Sequence, residues 1–309
     1  MMMMCSANEP MTGVLPIDKP SGPTSHDVVA RLRQVTHERS IGHAGTLDPR
    51  ATGLLVLLLG KATRLASLLT GHDKEYEAAI RLGWATTTDD ADGERLASPG
   101  EGRPLPSDAD LRAALDQFRG TFDQVPPQYS AKKVAGHKAY DLARQDRHVP
   151  LKAVTVTVRQ LDMLDRAGDV VRLRLIVSAG FYVRSLARDL GHRLGCGAHL
   201  DGLRRTRSGP FAVSAAVPLS QAERLGPDVA AHLISLADAL PDLPAVSLSE
   251  GGLVRVRHGN PVGPQFAAGP WVPIQPGPPG RIRLLDQDGA LVALADLRGG
   301  LLHPAVVLG

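Results

Sequence analysis

The sequence predicts a mixed α/β protein built from a larger α/β body and a small β-rich module behind it. Three observations carry this. At 309 residues the chain is longer than one hydrophobic core usually serves. Stretches of strand-like alternation are interleaved with stretches of helical spacing. Beyond a Pro-bounded joint, Leu240-Pro241-Asp242-Leu243-Pro244, short apolar patches alternate with turn signals. Hydrophobic residues make up 43% and charged residues 22%, the balance of a folded globular protein and not of a disordered or fibrous one.

In chain order, Met1 to Met11 reads as a loose extension, because it lacks the cationic segment and apolar core of a signal peptide. Gly13 to Asp18 predicts a short strand, broken by Lys19-Pro20-Ser21-Gly22-Pro23. Thr24-Ser25 then offers N-cap oxygens to a helix running to about Val35. Ser40 to Gly53, rich in Gly, Asp and Pro, predicts a loop, a place where reactive groups are often carried. The apolar run Leu54–Leu59 follows, and Lys61–Leu69 predicts a helix. Lys74–Leu82, Val154–Leu164 and Val170–Val177 predict strands, and Phe181–Leu194 has helical spacing. After the joint, Ile282–Leu285 and Leu291–Leu294 are strand patches separated by turns such as Asp288-Gly289 and Gly299-Gly300. Pro261–Gly280, with 7 prolines and 4 glycines, predicts an exposed loop.

Composition excludes several classes. The longest apolar run is far short of the ~20 residues of a membrane span. Two cysteines, Cys5 and Cys196, cannot build a disulfide framework or a four-ligand zinc site, and they fit a reducing cytoplasm. The formal net charge of +3 is modest, but it is segregated: Ala131 to Pro210 holds 16 Lys/Arg against 7 Asp/Glu, while Asp89 to Asp116 holds 8 acids against 3 bases. A central basic stretch suits phosphate neutralisation, and equally a solvated basic face. Gly60-Lys61-Ala62-Thr63 has the wrong spacing for a nucleotide-binding P-loop. His192, Cys196 and His199 fall at metal-like intervals but lack a supporting cluster, so a buried Cys with two incidental His is the better account. No metal is expected.

The distinctive block is Ile41 to Gly53, with three glycines, a His and a single Asp within thirteen residues. Asp48 precedes Pro49, which biases it out of the helical region and lets its carboxylate project from a turn. An isolated carboxylate can serve as nucleophile or base, or it can simply belong to an Asp-Pro turn.

With this block and five others, the chain resembles the bacterial tRNA pseudouridine-55 synthase family, TruB type, over nearly its whole length. The blocks are Gly13–Ser25 (GVLPIDKPSGPTS), Gly42–Gly53 (GHAGTLDPRATG), Lys74–Gly83 (KEYEAAIRLG), Val125–Ala131 (VPPQYSA), Gly180–Gly191 (GFYVRSLARDLG) and Leu194–Arg205 (LGCGAHLDGLRR). The resemblance implies a pseudouridine synthase catalytic domain over 11–240, whose central sheet is flanked by helices, and a PUA-like RNA-binding β-barrel over 245–309. It implies isomerisation of uridine 55 in the TΨC arm of tRNA, with no cofactor, in a cytoplasmic enzyme acting as a monomer without an obligate protein partner. By the same resemblance Asp48 attacks the flipped-out uridine, Arg184 pairs with it, and Tyr76 stacks on the base with a possible part in proton transfer. Tyr182 and Leu203 line the pocket and His43 contacts the RNA. Lys19, Lys61, Arg64, Arg204 and Arg205 are expected phosphate contacts. The chain departs from the family where Cys-Ser-Lys-Gly-Thr-Tyr is common ahead of the arginine: here it has Val177-Ser178-Ala179-Gly180-Phe181-Tyr182.

Overall fold

The computed structural model describes residues 11–97, 104–128, 133–134, 137–138, 151–269, 271 and 280–309. The expected extension 1–10, the last three residues of the Val125–Ala131 block and most of the second half of the Pro261–Gly280 loop lie outside them.

The first strands are β1 (Gly13–Lys19), β2 (Ile41–His43), β3 (Thr52–Leu59) and β4 (Lys74–Leu82), with helices α1 (Ser25–Thr36) and α2 (Ala66–Thr70) between them. Short strands β5 (Ala85–Thr86) and β6 (Arg95–Leu96) precede α3 (Asp108–Asp116) and β7 (Gly120–Gln124). The hairpin β8 (Lys133–Val134) and β9 (His137–Lys138) is followed by the long strands β10 (Val154–Ala167) and β11 (Val170–Val177), then α4 (Val183–Leu194), β12 (Ala198–Ser208), β13 (Phe211–Ala212), β14 (Val217–Pro218) and α5 (Leu219–Leu225). The chain ends in β15 (Ala245–Ser247), α6 (Glu250–Arg257), β16 (Arg281–Leu285), β17 (Leu291–Arg298) and β18 (Leu301–Val307).

The expected mixed sheet is present. Its strand order is β14-β1-β3-β12-β4-β11-β10-β7, with β2 paired to β3 and β13 to β12. β1–β14 and β3–β12 are parallel and the other pairs antiparallel. α1 begins where expected, because Thr24 accepts from the Asp27 backbone while the Asp27 carboxylate accepts from the Thr24 N–H, a reciprocal capping box.

The Leu54–Leu59 run is apolar at every position because β3 is buried on both faces. Leu55, Leu57 and Leu59 join one core with Val28 and Leu32 of α1, Leu111 of α3, and Leu186 and Leu190 of α4. Leu54, Val56 and Leu58 face a second core with Leu236, Leu240, Leu291, Leu294 and Leu308. The Pro-bounded joint therefore runs through buried packing, with Leu240 and Leu243 inside the second core. Arg283 reinforces it by donating to the carbonyls of Leu243 and Ala237, at 2.8 and 2.9 Å.

The helix expected over Lys61–Leu69 is present as a 3₁₀ helix, Gly60–Leu65, continued by the short α2. One expectation is corrected here. Among the described residues the C-terminal module is an open four-stranded sheet, β15-β16-β17-β18, with no closed barrel. Its turns fall at Asp288-Gly289 and Gly299-Gly300, as the sequence indicates. No helix among the described residues is long and apolar enough to cross a membrane.

Because β3 is packed on both sides, truncating it opens a cavity that neither layer can easily close. Leu57→Ala should cost about 2–5 kcal/mol, read as a lower urea midpoint at unchanged slope, whereas truncating the exposed Leu297 should cost much less.

Candidate active site

The segment between β2 and β3 carries Asp48, and three other parts of the chain hold it in place. Ser25, at the start of α1, accepts from the Leu47 N–H at 2.9 Å and donates to the Leu47 carbonyl at 3.0 Å. The Lys19-Pro20-Ser21-Gly22-Pro23 turn lies against Pro49, whose carbonyl accepts from the Gly22 N–H at 2.9 Å and from Lys19 Nζ at 3.0 Å. Lys19 Nζ also donates to the carbonyls of Pro20 and Pro23, at 2.9 and 2.8 Å. From β12, Arg205 donates to the carbonyls of Leu54, Gly45 and Thr46, at 2.7, 3.1 and 3.5 Å.

Gly53 has φ +95°, and a Cβ there would stand 2.3 Å from the Arg205 carbonyl oxygen. Only glycine lets β3 meet β12 at this point and so brings Arg205 under the loop. Gly191 serves α4 in a similar way, since a Cβ on it would stand 2.1 Å from the Ala198 nitrogen, where the helix runs into β12.

Arg184 projects from the first turn of α4. Its Nε and Nη2 meet the two carboxylate oxygens of Asp48, at 3.0 and 3.2 Å, a bidentate fork. Nη1 lies 3.5 Å from Asp90 Oδ2 and 3.4 Å from the Thr88 carbonyl. The arginine side chain is 7% exposed and that of Asp48 43%. Burial pushes the Asp48 carboxyl above the ordinary carboxylate value, Arg184 pulls it down, and Asp90 adds to the rise. The exposure of the Asp48 side chain tempers that rise.

The cavity measures about 280 Å³ and brings together Asp48, Arg184, Tyr76, Tyr182, Leu203 and Arg205 from the expected set. Tyr76, in the alternating strand β4, is buried, and its strand neighbours are Arg205 on β12 and Leu175 on β11. Phe181 lies edge-to-face against Phe122 at 6.4 Å, so the departure from the family pattern fills an aromatic cluster. His43 stands outside the lining. It packs edge-to-face on His26 at 5.7 Å, its Nδ1 buried and unpartnered among the described residues. Burial is the main cause that lowers its pKa from the ordinary histidine value, with His26 and Arg205 adding to it.

The expected phosphate contacts divide. Lys19 and Arg205 are 0% and 1% exposed and donate to backbone carbonyls, so both are structural ties of the loop before they are phosphate contacts. Burial pushes the Lys19 ammonium down to about 8, with Asp48 and Asp27 opposing. Arg204 forks onto Asp18 at 3.1 and 2.7 Å, and Arg64 donates to the Val307 carbonyl at 2.5 Å. Lys61 is exposed.

Two residues of the site escaped the sequence reading. Asp90 belongs to the acidic stretch that charge segregation marks, but nothing in its spacing ties it to Arg184. Lys74 lines the cavity while 6% exposed, donating to the carbonyls of Thr70 and His72, and burial lowers it to about 8. Cys196 is buried with Sγ donating to the Gly197 carbonyl, and His199 faces the Trp84 carbonyl. Among the described residues no group of three His, Cys, Asp or Glu could hold a metal.

Comparison with known proteins places this architecture among the pseudouridine synthases. Residues 33–183 match the model of the TruB family pseudouridylate synthase N-terminal domain, and residues 184–226 that of the tRNA pseudouridylate synthase B C-terminal domain. The tRNA pseudouridine synthase B of Thermobifida fusca is 45% identical over 96% of this chain and 98% of its own length. That of Dinoroseobacter shibae is 42% identical, covering 96% and 95%. The chain belongs to the TruB family of pseudouridylate synthases. Among solved structures, one of an H/ACA RNP bound to a substrate RNA containing 2'-deoxyuridine holds a chain that matches 97% of this one and 86% of its own length, with TM-score 0.72 and 25% identity. A Cbf5-Nop10-Gar1 complex holds one at TM-score 0.70 and 27% identity, covering 97% and 85%.

Removing the guanidinium leaves burial and Asp90 acting on Asp48 with only Lys19 opposing them. Arg184→Met should therefore raise the Asp48 pKa, read in a carbon-13 titration with the signal assigned by difference from Asp48→Asn. Arg184→Lys, which keeps a charge without the fork, should fall between.

Proposed function

We propose that this protein converts uridine 55 in the TΨC arm of tRNA to pseudouridine, with Asp48 as nucleophile on a flipped-out uridine and no cofactor. The observation that carries the reading is the bidentate Asp48–Arg184 pair at the edge of a cavity of about 280 Å³ walled by Tyr76, Tyr182 and Leu203. Family membership supplies the reaction class, and the relatives' names point to tRNA.

The isomerisation breaks the bond from N1 of uracil to C1' of the ribose and forms one from C5 to C1'. The proton on C5 leaves and N1 gains one, so atoms balance without an external reactant. Attack needs an ionised carboxylate. The Arg184 fork keeps Asp48 charged against the pull of burial and fixes the direction of its oxygens. A base inside a stem-loop cannot reach this carboxylate, so it must leave the stack. Tyr76 offers an aromatic face for the extruded ring, Tyr182 and Leu203 close its sides, and His43, next to exposed His26, contacts the RNA outside. Lys61, Arg64 and Arg204 remain the basic residues for the backbone. The chain then works in the cytoplasm as a catalytic unit over 11–240 and an RNA-binding module over 245–309.

Tritium release from a tRNA transcript carrying 5-tritiated uridine tests this. Wild type should release it, and a transcript with cytidine at position 55 should give none from that site. Asp48→Asn should lower release by more than about 10³-fold with tRNA affinity largely kept. Turnover by that variant would remove Asp48 from the chemistry.

A further inference from the structure

Tyr182 occupies the N-cap of α4, the position where Ser, Thr, Asp or Asn normally accept a helix N–H. No side chain of its own caps this helix. The polar partner comes from another part of the fold. Gln124, the last residue of β7, accepts from the Tyr182 N–H through Oε1 at 2.9 Å and donates from Nε2 to the Tyr182 carbonyl at 3.1 Å. Gln124 is 1% exposed, so this two-point bond forms away from water. The same carbonyl accepts the first helical bond, from the Leu186 N–H at 3.2 Å.

We infer that Gln124 is a positioning residue for the isomerisation: by holding both polar groups of the Tyr182 peptide it fixes the Tyr182 ring in the cavity wall and the helix start that carries Arg184. This rests on the function proposed above. Arg184 follows Tyr182 by two residues, and its fork onto Asp48 requires the first turn of α4 to stand in one place. A rotation of the Tyr182 peptide would move the ring and the guanidinium together.

Docking of the helix as a whole rests on other bonds. Ser185 Oγ and Arg188 Nη2 both donate to the Val125 carbonyl, at 2.8 and 3.0 Å, and Leu186 and Leu190 are buried in the core below. Those contacts survive a change at Gln124. What is lost with Gln124→Leu is the partner of a part-buried N–H at the helix start, which must turn elsewhere to be satisfied. The expected consequence is misaimed chemistry in a folded protein.

The test measures single-turnover tritium release and tRNA dissociation constants for wild type, Gln124→Leu and Gln124→Glu, with melting temperatures alongside. Gln124→Leu should slow the chemical step roughly 10–100-fold while the dissociation constant stays within about twofold. Gln124→Glu keeps the acceptor for the Tyr182 N–H and loses the donor, so its rate should lie between the two. An unchanged rate in Gln124→Leu, or a rate and an affinity that fall by the same factor with a lower melting temperature, would overturn the assignment and leave Gln124 as ordinary packing. A wild type that releases no tritium would instead remove the proposed function, so the two failures are distinct.

Discussion

The fold is arranged around an Asp–Arg pair forked together at the mouth of a pocket. A carboxylate on a loop next to a cavity has every reason to wander or take up a proton, since burial disfavours its charge. The protein answers with a fork from a helix and with a frame under the loop. The frame is the less obvious part. The carbonyls of Gly45, Thr46, Pro49 and Leu54 need partners out of reach of bulk water, and two buried cations, Lys19 and Arg205, supply them. One comes from the end of β1 and the other from β12, the two strands that flank β3.

This requirement explains why β3 lies where it does. It must be reached from β1 on one edge and β12 on the other, and it must anchor the end of the Asp48 loop. A strand in that central place is covered by helices on one face and by the Leu240 and C-terminal packing on the other. The run of six apolar residues from Leu54 to Leu59 follows from this double burial. The C-terminal sheet thus shares a core with the strand that ends the Asp48 loop, and the stiffness of that loop draws on both layers.

The features legible in the sequence were those with a period or a cap. β4 and β11 alternate cleanly, and α1 opens on a capping box, so their bounds were found within a residue or two. β12 was missed as a strand because its register shifts between Leu200 and Gly202 and between Arg205 and Arg207, and three arginines crowd its second half. Those breaks destroy the alternation on which strand reading depends. The burial of Lys19 and Arg205 is illegible in the sequence for a related reason. Lysines and arginines are almost never fully buried unless paired, and nothing along the chain signals that their partners are carbonyls from distant loops. Asp48 and Arg184, 136 residues apart, could be joined from the sequence only through family resemblance, and the fork between them is a property of the folded chain alone.

The places where local rules fail converge on one spot. Arg184 sits in the first turn of α4, where a cation opposes the helix dipole. Tyr182 takes a capping position that aromatic residues fill badly, and Lys74 and Lys19 are lysines held inside. A chain selected for stability alone would put a Ser or Asp at the cap, an acid in the first turn and aliphatic residues in the interior. Each departure has a compensation nearby: Asp48 and Asp90 for Arg184, Gln124 for the Tyr182 peptide, and carbonyls for the two lysines. Conflicts of this kind survive where something other than stability is served. Here Arg184, Tyr182 and Lys74 line the cavity on which Asp48 opens, with Lys19 bonded beneath its loop, and that concentration is a physical argument for the proposed site that needs no relative.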